Sequence, residues 1–340
     1  MTGPLRIGTL GAAKITPMAL LKPAATVPEA EIVAIAARDR SRAEKMANKH
    51  GIPTVHDTYD EVIADPNVQA IYNPLPNGLH GKWTIAALEA GKHVLCEKPF
   101  TANAEEAEQV AAVATRTGLV VMEAFHYRYH PLVDRLLEII KSGELGEIHR
   151  IETRMCFPLP PFGPTGKDIR WQLDLAGGAL MDAGCYTVHQ LRTLAGAEPE
   201  VVSAEMKCPK PEVDGSTNAE LRFSDGRTGR IETSMWSKRL LSLRGKVTGS
   251  HGEMNIVNMT GPQYFHKVVV RTTDPRSGVK ARRKEKVKGE ATYWYQLKAF
   301  VAAVQEGASY PTTPADSIAN MRVIDAIYRA AGLHVREPSA

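Results

Sequence analysis

Cysteine is scarce in this chain and nowhere clustered. Cys96, Cys156, Cys185 and Cys208 lie far apart and form no CxxC pair, which argues against a disulfide framework and against a zinc site. No metal is therefore expected, and a reducing cytoplasm is the compartment the sequence suggests. Also missing is any run of about 18 apolar residues able to span a bilayer, so no membrane partner is expected. The opening Met1-Thr2-Gly3-Pro4-Leu5-Arg6 has no charged-then-apolar leader pattern and runs straight into a strand pattern. A large excess of one charge is lacking too. Against 38 Asp and Glu stand 42 Lys and Arg, and a net charge of +4 gives no reason to expect a nucleic-acid partner. Much of the positive charge is local, in Arg271, Arg276, Lys280, Arg282, Arg283, Lys284, Lys286 and Lys288, opposed by Asp274 and Glu285. That stretch has none of the interleaved aromatics on which single-stranded nucleic acids stack, and it reads as a solvated hairpin or loop.

What is present is an ordinary globular composition, 43% apolar and 24% charged, in 340 residues. That length suits two domains of roughly 100–200 residues each. Over residues 1–124, short apolar runs (Leu5–Leu10, Glu31–Ala37, Ala70–Tyr72, His93–Cys96, Leu119–Met122) alternate with amphipathic segments (Ser41–His50, His80–Ala90, Ala104–Thr117). Such alternation predicts a doubly wound parallel sheet, a Rossmann-type α/β domain. Residues 125–340 read differently: one helix at Pro131–Lys141, then mostly strand candidates from Ile148–Phe157 to Lys267–Arg271. A helix over about Gly178–Leu194 interrupts them, and two more, near Thr292–Gln305 and Pro314–Ala331, close the chain. This half is expected to be an α+β substrate-binding and oligomerisation domain with an open, mostly antiparallel sheet.

Four places carry candidate chemistry. Gly8-Thr9-Leu10-Gly11-Ala12-Ala13-Lys14 ends the first strand, where a dinucleotide pyrophosphate meets a helix N-terminus. Its fingerprint is degenerate, with Ala13 and Thr16 at the positions of the second and third glycines; the bland alternative is a glycine turn. At the end of the second strand, Ala37 stands where NAD sites usually place a carboxylate, and Arg38 and Arg42 follow. Two guanidinium groups and no acid suit a 2′-phosphate, unless both are surface charges at a helix start; Asp39 can cap that helix. Glu97-Lys98-Pro99 follows strand His93–Cys96, so Lys98 is expected to face the ligand crevice, where an ammonium polarises a carbonyl or stabilises an alkoxide. Finally Asp182, Tyr186 and His189, spaced i, i+4, i+7 after Gly177-Gly178, share one helix face; the alternative is a stripe satisfied by neighbouring backbone.

Together with Pro76-Asn77-x-x-His80, the Glu97-Lys98-Pro99 tripeptide and Gly177-Gly178-Ala179-Leu180-x-Asp182-x-Gly184-x-Tyr186, in this order and spacing, make the whole chain resemble the glucose-fructose oxidoreductase/inositol dehydrogenase (Gfo/Idh/MocA) family. Tyr186, where the inositol-dehydrogenase branch typically has His, resembles the branch of dihydrodiol dehydrogenase and NADP-linked xylose dehydrogenase. The resemblance implies an NADP-dependent oxidoreductase acting on the CH–OH groups of a sugar or vicinal diol. Lys98, Tyr186 and Asp182 would be catalytic. Cofactor contacts would come from Gly11, Ala13, Lys14, Ile15, Arg38, Ser41, Arg42, Pro76, Asn77, His80, Glu97 and Lys98. Lys98 would bind the reacting oxygen and Tyr186 would exchange its proton, the cation favouring the phenolate. Arg170, Trp171, Asp182 and His189 would meet the substrate, and the loop from Phe157 to Trp171 would shape its pocket. Alternatives are an NAD-dependent polyol dehydrogenase of the inositol type, a non-catalytic sugar or dinucleotide sensor, and a scaffold on the same fold. Partners are expected to be a small molecule and further copies of the chain. Copies would meet through an apolar sheet face made by Gly229, Ile231, Thr233 and Met235.

Overall fold

The computed structural model describes residues 3–158, 168–237 and 241–340. They form two compact units. The first contains residues up to Arg128, Tyr293–Ile318 and Glu337–Ala340; the second contains Tyr129–Thr292 and Ala319–Arg336. Beyond the division expected near residue 124, the chain returns to the first unit late, with Tyr293–Ile318 and Glu337–Ala340. The physical reason lies at the edge of the first sheet. Thr312 donates its hydroxyl to Glu123 O at 2.8 Å and accepts Glu123 N at 3.2 Å, while the Tyr310 hydroxyl reaches Val121 O at 3.0 Å. A strand edge that would otherwise stay unpaired is thereby covered.

The first unit's sheet is parallel throughout. Its strands are β1 (Leu5–Leu10), β2 (Ala30–Ala36), β3 (Thr54–Val55), β4 (Ala70–Asn73), β5 (His93–Cys96) and β6 (Val121–Glu123), in the order β3-β2-β1-β4-β5-β6. Leu5, Ile7, Leu10, Ile71 and Val94 are fully buried, as continuous apolar runs in a doubly covered sheet require. A π-helical turn (Pro17–Leu21) and the one-turn α1 (Lys22–Ala24) follow β1. The crossover helices are α2 (Arg40–His50), α3 (Tyr59–Ala64), α4 (His80–Glu89) and α5 (Ala104–Thr117). Side-chain caps start three of the four. Asp39 caps α2 through Ser41 N, Thr58 and Glu61 form a capping box at α3, and Asn103 accepts Glu106 N at α5. Helix α8 (Thr292–Glu306) and the start of α9 (Pro314–Ala330) complete the unit.

The second unit is built on an eight-stranded sheet ordered β14-β13-β12-β11-β7-β10-β9-β8. Its strands are β7 (Ile148–Cys156), β8 (Pro199–Lys207), β9 (Ser216–Phe223), β10 (Thr228–Ser234), β11 (Ser242–Gly249), β12 (Gly252–Val257), β13 (Lys267–Thr273) and β14 (Lys280–Glu285). All neighbours are antiparallel except β7 and β10. The basic stretch is the β13–β14 hairpin. Arg135, on α6 (Pro131–Lys141), and Arg283 both bond Glu285 and hold its carboxyl down at about 2.

Helix α7 (Cys185–Ala195) lies on β7 and β10. The packing corrects the expected apolar oligomer face. Ile231, Thr233 and Met235 are buried, and a Cβ on Gly229 would lie 3.0 Å from Leu191 of α7, so this row points into the core. The opposite face is charged and cross-linked, by Arg154–Glu232 at 2.6 Å, Arg150–Glu220 at 3.3 Å, Lys246–Glu253 at 2.8 Å and Arg271–Glu253 at 2.7 Å. Among the described residues no helix is long and apolar enough to cross a membrane.

Candidate functional site

In the first unit, strand order reverses between β1 and β4, and the candidate cofactor residues gather at the carboxyl ends of β1, β2, β4 and β5. Gly11 takes φ +88°, donates its N–H to Ala36 O at 2.6 Å and lies so close to Leu75 that a Cβ would meet it at 3.2 Å. Only glycine holds this conformation without strain. Ala13 and Ile15 are half-buried and Lys14 is exposed, on the turn that enters the π-helix. At the end of β2, Arg38 and Ser41 are exposed; Asp39 is occupied by Ser41, whose N–H and hydroxyl hold its carboxyl below the usual range. Arg42 donates to Ala12 O at 2.9 Å, bracing the glycine loop from α2.

The turn after β5 is fixed from two sides. The Tyr72 hydroxyl donates to Glu97 Oε1 at 2.8 Å, and Glu97 N reaches Asn73 O at 3.0 Å. His80, at the start of α4, places Nδ1 2.7 Å from Pro99 O and Nε2 2.7 Å from Leu75 O. Burial drives this imidazole down to about 4, outweighing the pull of the two carbonyls. The neutral ring donates to one of the two oxygens, and the residue ties the Pro76-Asn77 turn to the Lys98-Pro99 turn. Asn73 holds the same α4 start through His80 O at 3.1 Å and Thr84 at 3.2 Å. The Lys98–Pro99 peptide is cis, and Lys98 is half-buried. Its charge reaches His126, which burial first and Lys98 second hold down at about 3, a neutral ring stacked 4.0 Å from Tyr293. The sequence reading missed His126 and Tyr72. His126 follows β6 by a few residues, so position at a parallel strand's carboxyl end was the available signal.

In the second unit, Asp182 lies on a π-helical turn (Leu180–Gly184) that runs into α7, which carries Tyr186 and His189. Single π-helical turns inside helices recur at functional sites. Tyr186 and His189 are buried. Asp182 accepts Arg170 Nε at 2.9 Å, and Asp168 holds the same guanidinium at 3.3 Å; the two carboxylates, Asp182 first, raise the Arg170 pKa. Trp171 packs with Ala179, Val213 and Met235 in a buried cluster. Residues 159–167, most of the loop expected to shape a substrate pocket, lie outside the described residues.

Residues 5–125 match the family described as "Oxidoreductase family, NAD-binding Rossmann fold", and residues 133–255 match the GFO/IDH/MocA C-terminal domain. An NADP(+)-dependent D-xylose 1-dehydrogenase of Haloferax volcanii is 35% identical, over 96% of this chain and 97% of that protein. A mouse trans-1,2-dihydrobenzene-1,2-diol dehydrogenase is 34% identical over 69% of this chain and 68% of its own length. Among solved structures, a 3-ketoreductase of Actinomadura kijaniata in complex with NADP and TDP-benzene superposes with a TM-score of 0.87, at 29% identity, over 96% of this chain and 98% of that one. The same ketoreductase has been solved with a lysine replaced by alanine and with a tyrosine replaced by phenylalanine.

Proposed function

The chain belongs to the GFO/IDH/MocA oxidoreductase family, and from that premise we propose that it is an NADP-dependent dehydrogenase or reductase of a sugar or vicinal diol. The observation that carries this reading is the Glu97-Lys98-Pro99 turn at the carboxyl end of β5, braced by Tyr72 and His80. An ammonium carried on a braced turn at that edge suits a group that must hold one oxygen atom in place.

The residues present fit a dinucleotide. The positive-φ Gly11, open to close backbone approach, stands at the end of β1 with Ala13, Lys14 and Ile15 to hold the pyrophosphate. Exposed Arg38, with Ser41, would hold the 2′-phosphate, while Arg42 keeps the loop in shape. Pro76, Asn77, His80 and Glu97 would border the remainder. When bound, the cofactor supplies the hydride acceptor or donor at its nicotinamide ring. Lys98 binds the reacting oxygen and stabilises its negative charge. Tyr186 gives or takes the proton of that oxygen. Asp182, oriented by Arg170, accepts a substrate hydroxyl, and His189 supports the same helix face. Trp171, beside Arg170 in sequence and packed with Ala179, Val213 and Met235, would border the substrate. The xylose and dihydrodiol dehydrogenases among the relatives favour an aldose or diol substrate. Copies of the chain would associate through the charged face of the second sheet, and four free cysteines suit a reducing cytoplasm.

The test is a panel of aldoses and vicinal diols, each with NADP and with NAD, followed by absorbance of the reduced cofactor. Reduction of NADP by at least one aldose or diol is expected. Tight NADP binding with no turnover on any of them would indicate a sensor instead.

A further inference from the structure

A buried ion pair stands behind the turn that opens the Asp182–Tyr186 helix, and nothing in the proposed chemistry uses it. Asp214 is fully buried. Its Oδ2 accepts Leu180 N at 2.7 Å and the Thr217 hydroxyl at 2.8 Å; its Oδ1 accepts the Tyr328 hydroxyl at 3.0 Å and Arg336 Nη2 at 3.5 Å. Its backbone carbonyl accepts Ala179 N at 2.7 Å. One residue therefore takes two successive N–H groups from the first turn of the helix, groups that have no partner within a helix. A carboxylate at that end also meets the positive end of the helix dipole.

Arg336 comes from the extended segment after α9 and is 1% exposed. Its Nε donates to Gly177 O at 2.9 Å, Nη2 also donates to Glu212 O, Nη1 reaches His334 O at 3.3 Å, and the guanidinium stacks 4.1 Å from the Tyr328 ring centre. Asp214 and Arg336 thus grip the Gly177-Gly178 turn from both sides. The fit leaves no room for a side chain: at Gly178, φ +138°, a Cβ would lie 2.1 Å from Asp214 Oδ1, and at Gly177 it would lie 2.7 Å from the Arg170 and Gln172 carbonyls. The same turn sets Arg170, since Gly178 N bonds Arg170 O at 2.9 Å, and Asp182 N bonds Gly178 O at 3.0 Å.

We infer that Asp214 and Arg336 are positioning residues, a buried clamp that fixes the start of the helix so that Asp182 and Tyr186 are presented in one arrangement. Burying a charge pair is a poor route to stability but a good one to a single geometry. The clamp acts through Gly177, Gly178 and the Ala179 and Leu180 amides. The inference rests on the proposed roles of those two residues.

The experiment compares Arg336→Met, Arg336→Lys and Tyr186→Phe with the wild-type chain, using kcat, KM for substrate, Kd for NADP, and hydrogen exchange at the Ala179 and Leu180 amides. Met fills the space without the charge; Lys restores the charge without the guanidinium fork. Arg336→Met is expected to speed exchange at both amides at least about tenfold and to lower kcat by up to about 10²-fold, since small misplacements cost that much. The Kd for NADP should stay unchanged, and Arg336→Lys should fall between wild type and Arg336→Met in both readouts. Should Arg336→Met fail to fold, the position of Arg336→Lys on the same two scales decides. Wild-type exchange and wild-type kcat in a folded Arg336 variant overturn the inference. So does fast exchange with wild-type kcat, provided Tyr186→Phe is inactive. Wild-type turnover in Tyr186→Phe instead overturns the assigned role of Tyr186, and the inference with it.

Discussion

The Tyr72 hydroxyl donates to Glu97 at 2.8 Å, joining the middle of β4 to the turn that carries Lys98. Both partners are buried. Tyr72→Phe keeps the ring and leaves the Glu97 carboxylate one donor short, a loss of about 1–3 kcal/mol for a buried acceptor. We expect a fall in denaturant midpoint of that size and a several-fold drop in kcat. Unchanged stability and kcat would show that Glu97 is adequately held without Tyr72.

Arg38 and Arg42 were read alike in the sequence, yet the structure separates them. Both are exposed, but Arg42 donates to Ala12 O. Arg38→Ala is therefore expected to weaken NADP about tenfold or more and to leave NAD almost unaffected, since a charge-assisted bond to a phosphate contributes about 1.5–3 kcal/mol. Arg42→Ala should weaken both cofactors. Fluorescence titration of the two variants with NADP and NAD distinguishes them, and equal losses for both cofactors in Arg38→Ala would count against the 2′-phosphate assignment.

Glu106 gives the fold a pH dependence of definite sign. It is 5% exposed and accepts Ala102 N at 2.8 Å, and burial raises its carboxyl from 4.5 to about 7. Between those values the folded chain holds a proton that the unfolded chain has released. This group's contribution is thus intact below about pH 4.5 and is lost as pH rises to about 7. At about 1.4 kcal/mol per pH unit the loss is about 3 kcal/mol. Glu106→Gln should flatten the decline: the Tm difference between wild type and variant should move in favour of the variant from pH 5 to pH 8. Parallel Tm curves would assign the pH dependence to other groups.

The association proposed through the charged outer face of the second sheet would be salt-sensitive. Light scattering at micromolar concentration should give at least twice the 37.1 kDa chain mass in low salt, and a smaller mass in molar salt. A monomer mass in low salt would contradict association through this face.

Much of the fold was legible because it is written locally. Leu5–Leu10, His93–Cys96, Ala104–Thr117 and Pro131–Lys141 have the bounds that their apolar runs, caps and glycine stops indicate. Strand β3 and helix α3, two and six residues long, were too short to show a period, although the Thr58–Glu61 capping box marked the latter. The π-helical turns at Pro17–Leu21 and Leu180–Gly184 leave no trace in composition, since each adds a residue to a turn without changing which residues are apolar. The β10 alternation gave two faces correctly, but Arg230 and Glu232 should have marked theirs as the outer one. Asp214 and Arg336 are 122 residues apart, and no local pattern announces such a pair. Lys98 and Tyr186 stood out only because short motifs surround them.

The proposed reaction turns on Lys98 holding the reacting oxygen. Its most direct test is steady-state turnover of Lys98→Ala on the best substrate of the panel, alongside the NADP dissociation constant of the same preparation. A loss of about 10²–10³ in kcat is expected, the usual consequence of removing a partner of a developing oxyanion, with NADP affinity nearly unchanged. A variant that binds NADP normally and keeps more than about half of wild-type kcat would contradict it.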